Sequence, residues 1–213
     1  MAPSGTLAGP GPLQGRVRWR RFAAIFLPAF VGMAVMVIFA AQGALGVSFA
    51  ISGVPYTVTA RTVSGPGFEQ FGTLDATASG TQHPVIVSVF GSATLDNLCQ
   101  SVDLSPLPTF LKLTAGGSGT AGAKASNLVV DATSLSGDSA TFSNIHIGQD
   151  PTTFSAIPGF NPQSASNIPL KGTFGQQADG VTITGLRNTA YAITAGTFTL
   201  PGLSLGFSGS GCG

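Results

Sequence analysis

Short runs in which apolar and polar residues alternate make up much of the chain after residue 46. YTVTAR, residues 56–61, and PGLSLGFSG, residues 201–209, are clear examples, and in the second the alternating apolar residues are Leu203, Leu205 and Phe207. Alternation with a period of two is typical of a strand with one face on a core and the other in water. We therefore expect these three side chains to be buried.

Helix signals are nearly absent from the same region, which has one Glu, few Lys and no apolar stripe of helical period. HPVIVSVFG, residues 83–91, is apolar on both faces and predicts a central strand. Residues 47–213 are long enough for one domain with a real core. The prediction is an all-β domain, a sandwich or partly closed barrel, with a β-solenoid-like stack as the second choice.

Turn residues separate the predicted strands. SGPG at residues 64–67 and LSGDSA at 135–140 are predicted turns. ATLDNL, ATFSNI and VTITGL each end an alternating run on Asn or Gly followed by an apolar residue, and these turn residues tolerate the left-handed backbone conformation.

A proline-rich excursion interrupts the alternation at residues 148–169 and carries four prolines. Phe154 and Phe160 lie within it. They either fold over an apolar groove, where they would contact an apolar ligand, or plug the end of a sheet.

The N-terminal region has a different pattern. Residues 22–41 contain no charged residue, and about 20 apolar residues suffice to span a hydrocarbon core of about 30 Å. Residues 22–45 are predicted to be a transmembrane anchor or uncleaved signal, and residues 1–21 a disordered, basic cytoplasmic tail. Four arginines precede the apolar segment and, by the positive-inside rule, keep the N-terminus in the cytoplasm: Arg16, Arg18, Arg20 and Arg21.

Cleavage is the alternative fate of this segment. AAQGALGVSFA offers small residues at the right distance for a signal peptidase, although Gly stands where Ala is preferred. The domain would then be secreted. Both alternatives place residues 47–213 outside the cell membrane, and in the first the bilayer is itself a partner, through residues 22–45.

Cys99 and Cys212 are the only cysteines of the chain. Outside the cytoplasm two cysteines usually pair, which predicts a disulfide between them, with two free thiols as the alternative. A metal site is not expected, because neither Cys-x-x-Cys nor His-x-x-x-His spacing occurs.

Charge argues against nucleic acid as a partner. From residue 47 onward five basic residues face eight acidic ones, whereas phosphate binding needs clustered Lys and Arg.

Candidate catalytic chemistry is sparse. No Gly-x-Ser-x-Gly elbow occurs, and Ser139 in GDSA is only loosely similar to an esterase block. His146 alternates with Ile145 and Ile147, which predicts a solvent-facing strand residue, and His83 precedes a proline at a strand start. We predict no catalytic residue and no cofactor.

Several longer segments together resemble a known family. They are AQGALGVSFAISG, GFEQFG, ATLDNLCQSV, ATFSNIHIG and FGQQADGVTITGLRNTAYAITAGTFTLPGL. With the RWRRF segment before the apolar run, the chain is similar over about residues 16–213 to an uncharacterised actinobacterial family of the Streptomyces type, whose members sometimes carry the label cholesterol esterase. The resemblance implies a membrane-attached exterior β domain. It brings no catalytic residues, and the esterase label disagrees with the missing elbow.

These observations favour a membrane-anchored extracytoplasmic protein of the actinobacterial envelope, acting as a non-enzymatic structural or binding module. The alternative is a protein that binds lipid or another apolar ligand, because aromatic-rich amphipathic strands lie near a membrane. A serine esterase is a weaker alternative. An envelope protein is a further possible partner, through strand addition at a free sheet edge.

Overall fold

In the computed structural model the described residues are 52–213, and they fold as an all-β unit. The predicted cytoplasmic tail, the anchor at 22–45 and the four arginines lie outside the described residues. Within residues 52–213 no helix has the length and apolar character needed to cross a membrane. The described strands are β1 (Tyr56–Ala76), β2 (Gln82–Asp96), β3 (Leu98–Asp103), β4 (Phe110–Ala115), β5 (Ala123–Ser136), β6 (Ser139–Ser143), β7 (His146–Gln149), β8 (Gly175–Thr194), β9 (Thr197–Thr199) and β10 (Ser204–Ser208).

The strands of residues 52–213 pair in the order β10-β4-β3-β1-β2-β5-β8-β6, with β7 on β8 and β9 on β5. Every ladder between them is antiparallel, and β8 also pairs back to β1. The result is a sandwich-like fold and not a closed barrel, and β10 and β6 stand at the two ends of the strand order. β2 lies between β1 and β5, which confirms the central strand predicted from HPVIVSVFG.

The predicted turn at residues 64–67 is wrong, because this segment lies inside β1. A Cβ on Gly65 would overlap the carbonyl oxygen of Ser92, and Gly67 has φ +67°. Only glycine permits this approach and this backbone conformation at no cost. The glycines thus let β1 continue past a corner instead of ending at a turn, so that one strand contributes to two cores.

The first core takes its side chains mainly from β1, β2, β5 and β8 and is almost wholly apolar. Phe68 is 1% exposed and packs edge-on against Phe90 at 5.3 Å between ring centroids, with Phe142 at 5.5 Å. A cavity of about 30 Å³ remains inside it, bordered by Leu128 and Asn188 among others. That is room for about one water and far below the ~300 Å³ at which small-molecule sites begin.

The second core lies under the proline-rich excursion. After β7 the chain forms two short 3₁₀-helices, Pro151–Thr153 and Pro162–Ala165, before β8 begins. This segment covers the sheet as a roof. Its buried apolar residues Ile157 and Leu170 pack against side chains of β1 and β2, namely Phe71, Val85, Val87 and Val89.

Two of the three predicted strand ends are present and have a left-handed backbone, since Asn97 and Asn144 both have φ 49°. The third is wrong: Gly185 has φ 60° but lies inside β8, which continues to Thr194. Asn97 separates β2 from β3, and Asn144 lies between β6 and β7. The turn predicted within residues 135–140 is also present, since β5 ends at Ser136 and β6 begins at Ser139.

Candidate functional site

The C-terminal residues fold back over one face of the β3-β4-β10 part of the sheet. Cys212 and Cys99 are joined at an S–S distance of 2.00 Å, as predicted from the two-cysteine count. The backbone N–H of Cys212 donates to Ser101 Oγ at 2.9 Å, and Lys112 Nζ donates to the carbonyl oxygen of Gly211 at 3.3 Å. A disulfide and two hydrogen bonds therefore hold the tail against this face, which carries Ser101, Lys112 and Thr114.

The opposite face of the same strands is covered by the first core only on β3 and β4, where Leu98 and Ala115 are buried and Leu113 packs against the core. The cover does not extend to β10. Ladder pairing places Leu205 opposite Leu113 and Phe207 opposite Leu111. We call Leu111, Leu203, Leu205 and Phe207 the apolar wing. Leu203 is 53% exposed, Leu205 62% and Phe207 77%.

The expectation that Leu203, Leu205 and Phe207 are buried is therefore wrong. The alternation correctly predicts a strand with an apolar face. β10, however, is a terminal strand of the sheet order and lies beyond the strands whose side chains meet across the first core. No residue of the described chain stacks a second layer on it, so its apolar face stays in contact with solvent.

The apolar wing is also uncharged and has a free backbone edge. Gln100, Val102 and Leu113 share its face through the β3–β4 ladder, so no charged side chain belongs to this face of the three strands. Among the described strands β10 pairs only with β4. One row of its N–H and C=O groups is consequently open to another strand or to water.

The roof over the second core is pinned by buried polar groups. Glu69 is 1% exposed, and its Oε1 accepts a hydrogen bond from the N–H of Ile157 at 3.0 Å. Gln177 Oε1 accepts from the N–H groups of Ser155 and Ala156 at 2.8 and 3.0 Å. Burial raises the pKa of Glu69 to about 7, although the N–H groups of the roof lower it.

A second polar group lies farther along this face. Tyr191 Oη is 3.2 Å from His83 Nδ1, and Asp75 stands opposite His83 in the β1–β2 ladder. Burial raises the pKa of Asp75, and it raises the pKa of Asp131 to about 7 with a further contribution from the Asp75 charge. No group of three metal-ligating side chains occurs within residues 52–213. Neither a serine nor a cysteine belongs to this group of four residues.

Phe154 and Phe160, proposed as contacts for an apolar ligand, are half-buried and pack against the second core. Phe154 lies 6.5 Å from the ring of Phe71. This is the position of a plug at a sheet end, the other alternative that the sequence left open. The cavity in the first core does not involve either ring.

The residues of the esterase alternative are not brought together. Ser139 Oγ shares a hydrogen bond with Thr184 Oγ1 at 2.9 Å, whereas His146 pairs with Gln177, seven residues away along β8. His146 is exposed, as predicted. His83 interacts with Tyr191 instead.

Sequence comparisons complete this description. No curated protein and no solved structure is similar enough to the chain to count as a match. A family model does match residues 52–212, which is almost the whole of the described β domain. On that basis the chain belongs to a family of unknown function, DUF6230.

Proposed function

We propose that the protein is a membrane-anchored extracytoplasmic component of the actinobacterial envelope, and that its β domain is a non-enzymatic binding module. The observation that carries the proposal is the apolar wing, an exposed and uncharged strand face with a free edge. A surface of this kind is typical of a site that binds another molecule.

The compartment is inferred from two independent features. One is the arginine-flanked apolar segment of residues 22–41, whose length suits a membrane anchor. The other is the Cys99–Cys212 bridge, since disulfides persist mainly in oxidising compartments. The resemblance to the Streptomyces-type family supports the actinobacterial envelope.

The alternative function, binding of an apolar ligand, is favoured only if the ligand binds on the surface of the domain. The cavity of about 30 Å³ in the first core is too small for a lipid chain. A cleft of about 320 Å³ beside the C-terminal tail is larger, but Ser101 and Asp103 line it. The wing, which carries no charge, suits an apolar ligand better.

Protease accessibility of the full chain in an actinobacterial host tests the proposal. We expect the chain to sediment with membranes, to resist alkaline extraction, and to lose its β domain when protease is added to intact protoplasts. A variant with all four arginines replaced by Glu is the control, because it removes the charge that fixes orientation. A cytosolic chain with two alkylatable thiols would overturn the proposal.

A further inference from the structure

We propose that the apolar wing contacts the surface of the same bilayer that holds the chain, so that the β domain lies against the membrane with Leu203, Leu205 and Phe207 in the interface. This inference rests on the proposed membrane anchor. It names the partner of the wing as lipid.

The first argument is where the described chain begins. Thr57 pairs with Ser101, Ser101 with Lys112, and Lys112 with Gly206. These residues form one row across four strands, and three interstrand spacings amount to about 14 Å. The middle of β10 is thus close to the point at which the chain enters the domain.

The second argument is the length of chain before that point. Ten residues separate Ala41, the end of the apolar segment, from Ser52. Even fully extended, such a linker spans only about 35 Å. A domain held within this distance of a bilayer has part of its surface near lipid, and the middle of β10 lies close to the start of the described chain.

The third argument is the chemistry of the two faces. The tail, the disulfide and Lys112 occupy one face, whereas the wing offers Leu and Phe side chains without a charge. Apolar side chains on a polar body suit the boundary between headgroups and acyl chains, about 5–10 Å deep. The free edge of β10 needs hydrogen-bonding partners, which hydrocarbon lacks, so the strand itself must stay at headgroup level.

Photo-cross-linking from the wing tests this inference on the full chain. The variant is Phe207→p-benzoylphenylalanine, in which a photoreactive aromatic residue replaces the phenylalanine ring. The protein is reconstituted in vesicles of phosphatidylcholine and phosphatidylglycerol. The matched control is Phe174→p-benzoylphenylalanine. Phe174 is 65% exposed and precedes β8, outside the wing. We expect about tenfold more lipid adduct from position 207 by mass spectrometry, since the side chain must reach the acyl region to react.

The outcomes separate the inference from the anchor. If the protein floats with the vesicles and position 207 forms lipid adducts, the inference holds. If it floats but the two positions label lipid equally, or position 207 cross-links a second copy of the chain, the inference is wrong and the anchor stands. If it does not float, the anchor proposal fails and the inference fails with it.

A second variant tests whether the lipid adduct at position 207 depends on contact of the whole wing with the bilayer. Leu205→Asp adds a charge at an exposed position, so the fold should be retained. We expect the lipid adduct at position 207 to fall about tenfold, because a charge in the interface opposes insertion. Ile147→Asp, at a site that is 67% exposed on β7, is the control and should leave the adduct unchanged. Equal adducts in both variants would overturn the inference.

Discussion

The two cores of the domain are closed in different ways. The first core is closed by strands alone, and its centre is the aromatic contact of Phe68 with Phe90 and Phe142. The second core is closed by a loop, and the loop is held by Glu69 and Gln177. Regular strands satisfy their own backbone groups, whereas a loop over a sheet needs side chains to do so. Buried polar residues therefore mark the second core and are rare in the first.

The largest effect should come from a change that both cores share. The Cys99–Cys212 bridge closes a loop with a sequence separation of 113, which contains parts of both. Replacing both cysteines by Ala should lower the free energy of unfolding by about 4–5 kcal/mol in the chain-entropy model. Urea denaturation monitored by far-UV circular dichroism measures it. An unchanged midpoint would mean that the bridge constrains only the tail.

The next largest effect should be confined to the first core. Phe68→Ala leaves a cavity among buried rings and should cost about 3–5 kcal/mol. Phe207→Ala is the matched control, since a ring that is 77% exposed should change stability by less than about 0.5 kcal/mol. A similar loss in both variants would show that the wing is covered in solution.

The second core should be distinguished by its pH dependence. Burial raises the pKa of Glu69 to about 7, from 4.5 for a free side chain. Between these values the folded state binds more protons than the unfolded state, so stability falls as pH rises through this window and is constant above it. Glu69→Gln keeps an acceptor for Ile157 and should be more stable than the wild type at pH 8 by roughly 2–3 kcal/mol, but not at pH 4.

Urea midpoints at both pH values measure this difference. Burial also raises the pKa of Asp131 to about 7, so the stability of the variant should still fall somewhat as pH rises. Asp150→Asn is the control of opposite sign. Hydrogen bonds from the N–H of Gly172 and then from Thr152 hold the pKa of Asp150 below its usual value. The stabilisation that ionised Asp150 contributes is therefore lost as pH falls. If the stability of Glu69→Gln fell with pH as steeply as that of the wild type, Glu69 would not be the buried group responsible for the pH dependence.

A smaller effect is expected at the edge of the second core. Phe154 is half-buried against Phe71, so Phe154→Ala should cost about 1–2 kcal/mol. Tyr191 of the same cluster should keep its contact with His83. Native-state hydrogen exchange of the roof amides measures the change. If stability is unaffected while lipid binding is lost, the ring contacts a ligand instead of closing the core.

The smallest effect should come from the residues of the esterase alternative. Ser139→Ala and His146→Ala remove exposed groups and should change stability by less than about 0.5 kcal/mol. Neither should alter hydrolysis of p-nitrophenyl esters by the purified chain. Ester hydrolysis that is abolished by either substitution would reinstate the esterase alternative.

The sequence predicts features that depend on neighbouring residues better than features that depend on residues far apart in the chain. The alternation in YTVTAR and HPVIVSVFG predicted strands because side-chain direction in a strand is local. SGPG was misread as a turn because the same glycines serve either a turn or a corner inside a strand, and only the carbonyl of Ser92 decides which. The roof contacts of Glu69 and Ile157 join residues 88 positions apart, so no local pattern predicts them.

The sequence by itself determined the all-β class, the central strand, the left-handed strand ends at Asn97 and Asn144 and the pairing of Cys99 with Cys212. Each follows from local residue chemistry or from a count. The tertiary structure alone decided which apolar faces are covered. Leu205 and Val58 alternate with polar neighbours in the same way, yet Val58 is buried and Leu205 is not. Burial depends on whether a second layer of chain reaches that strand, and this is a property of the whole sheet.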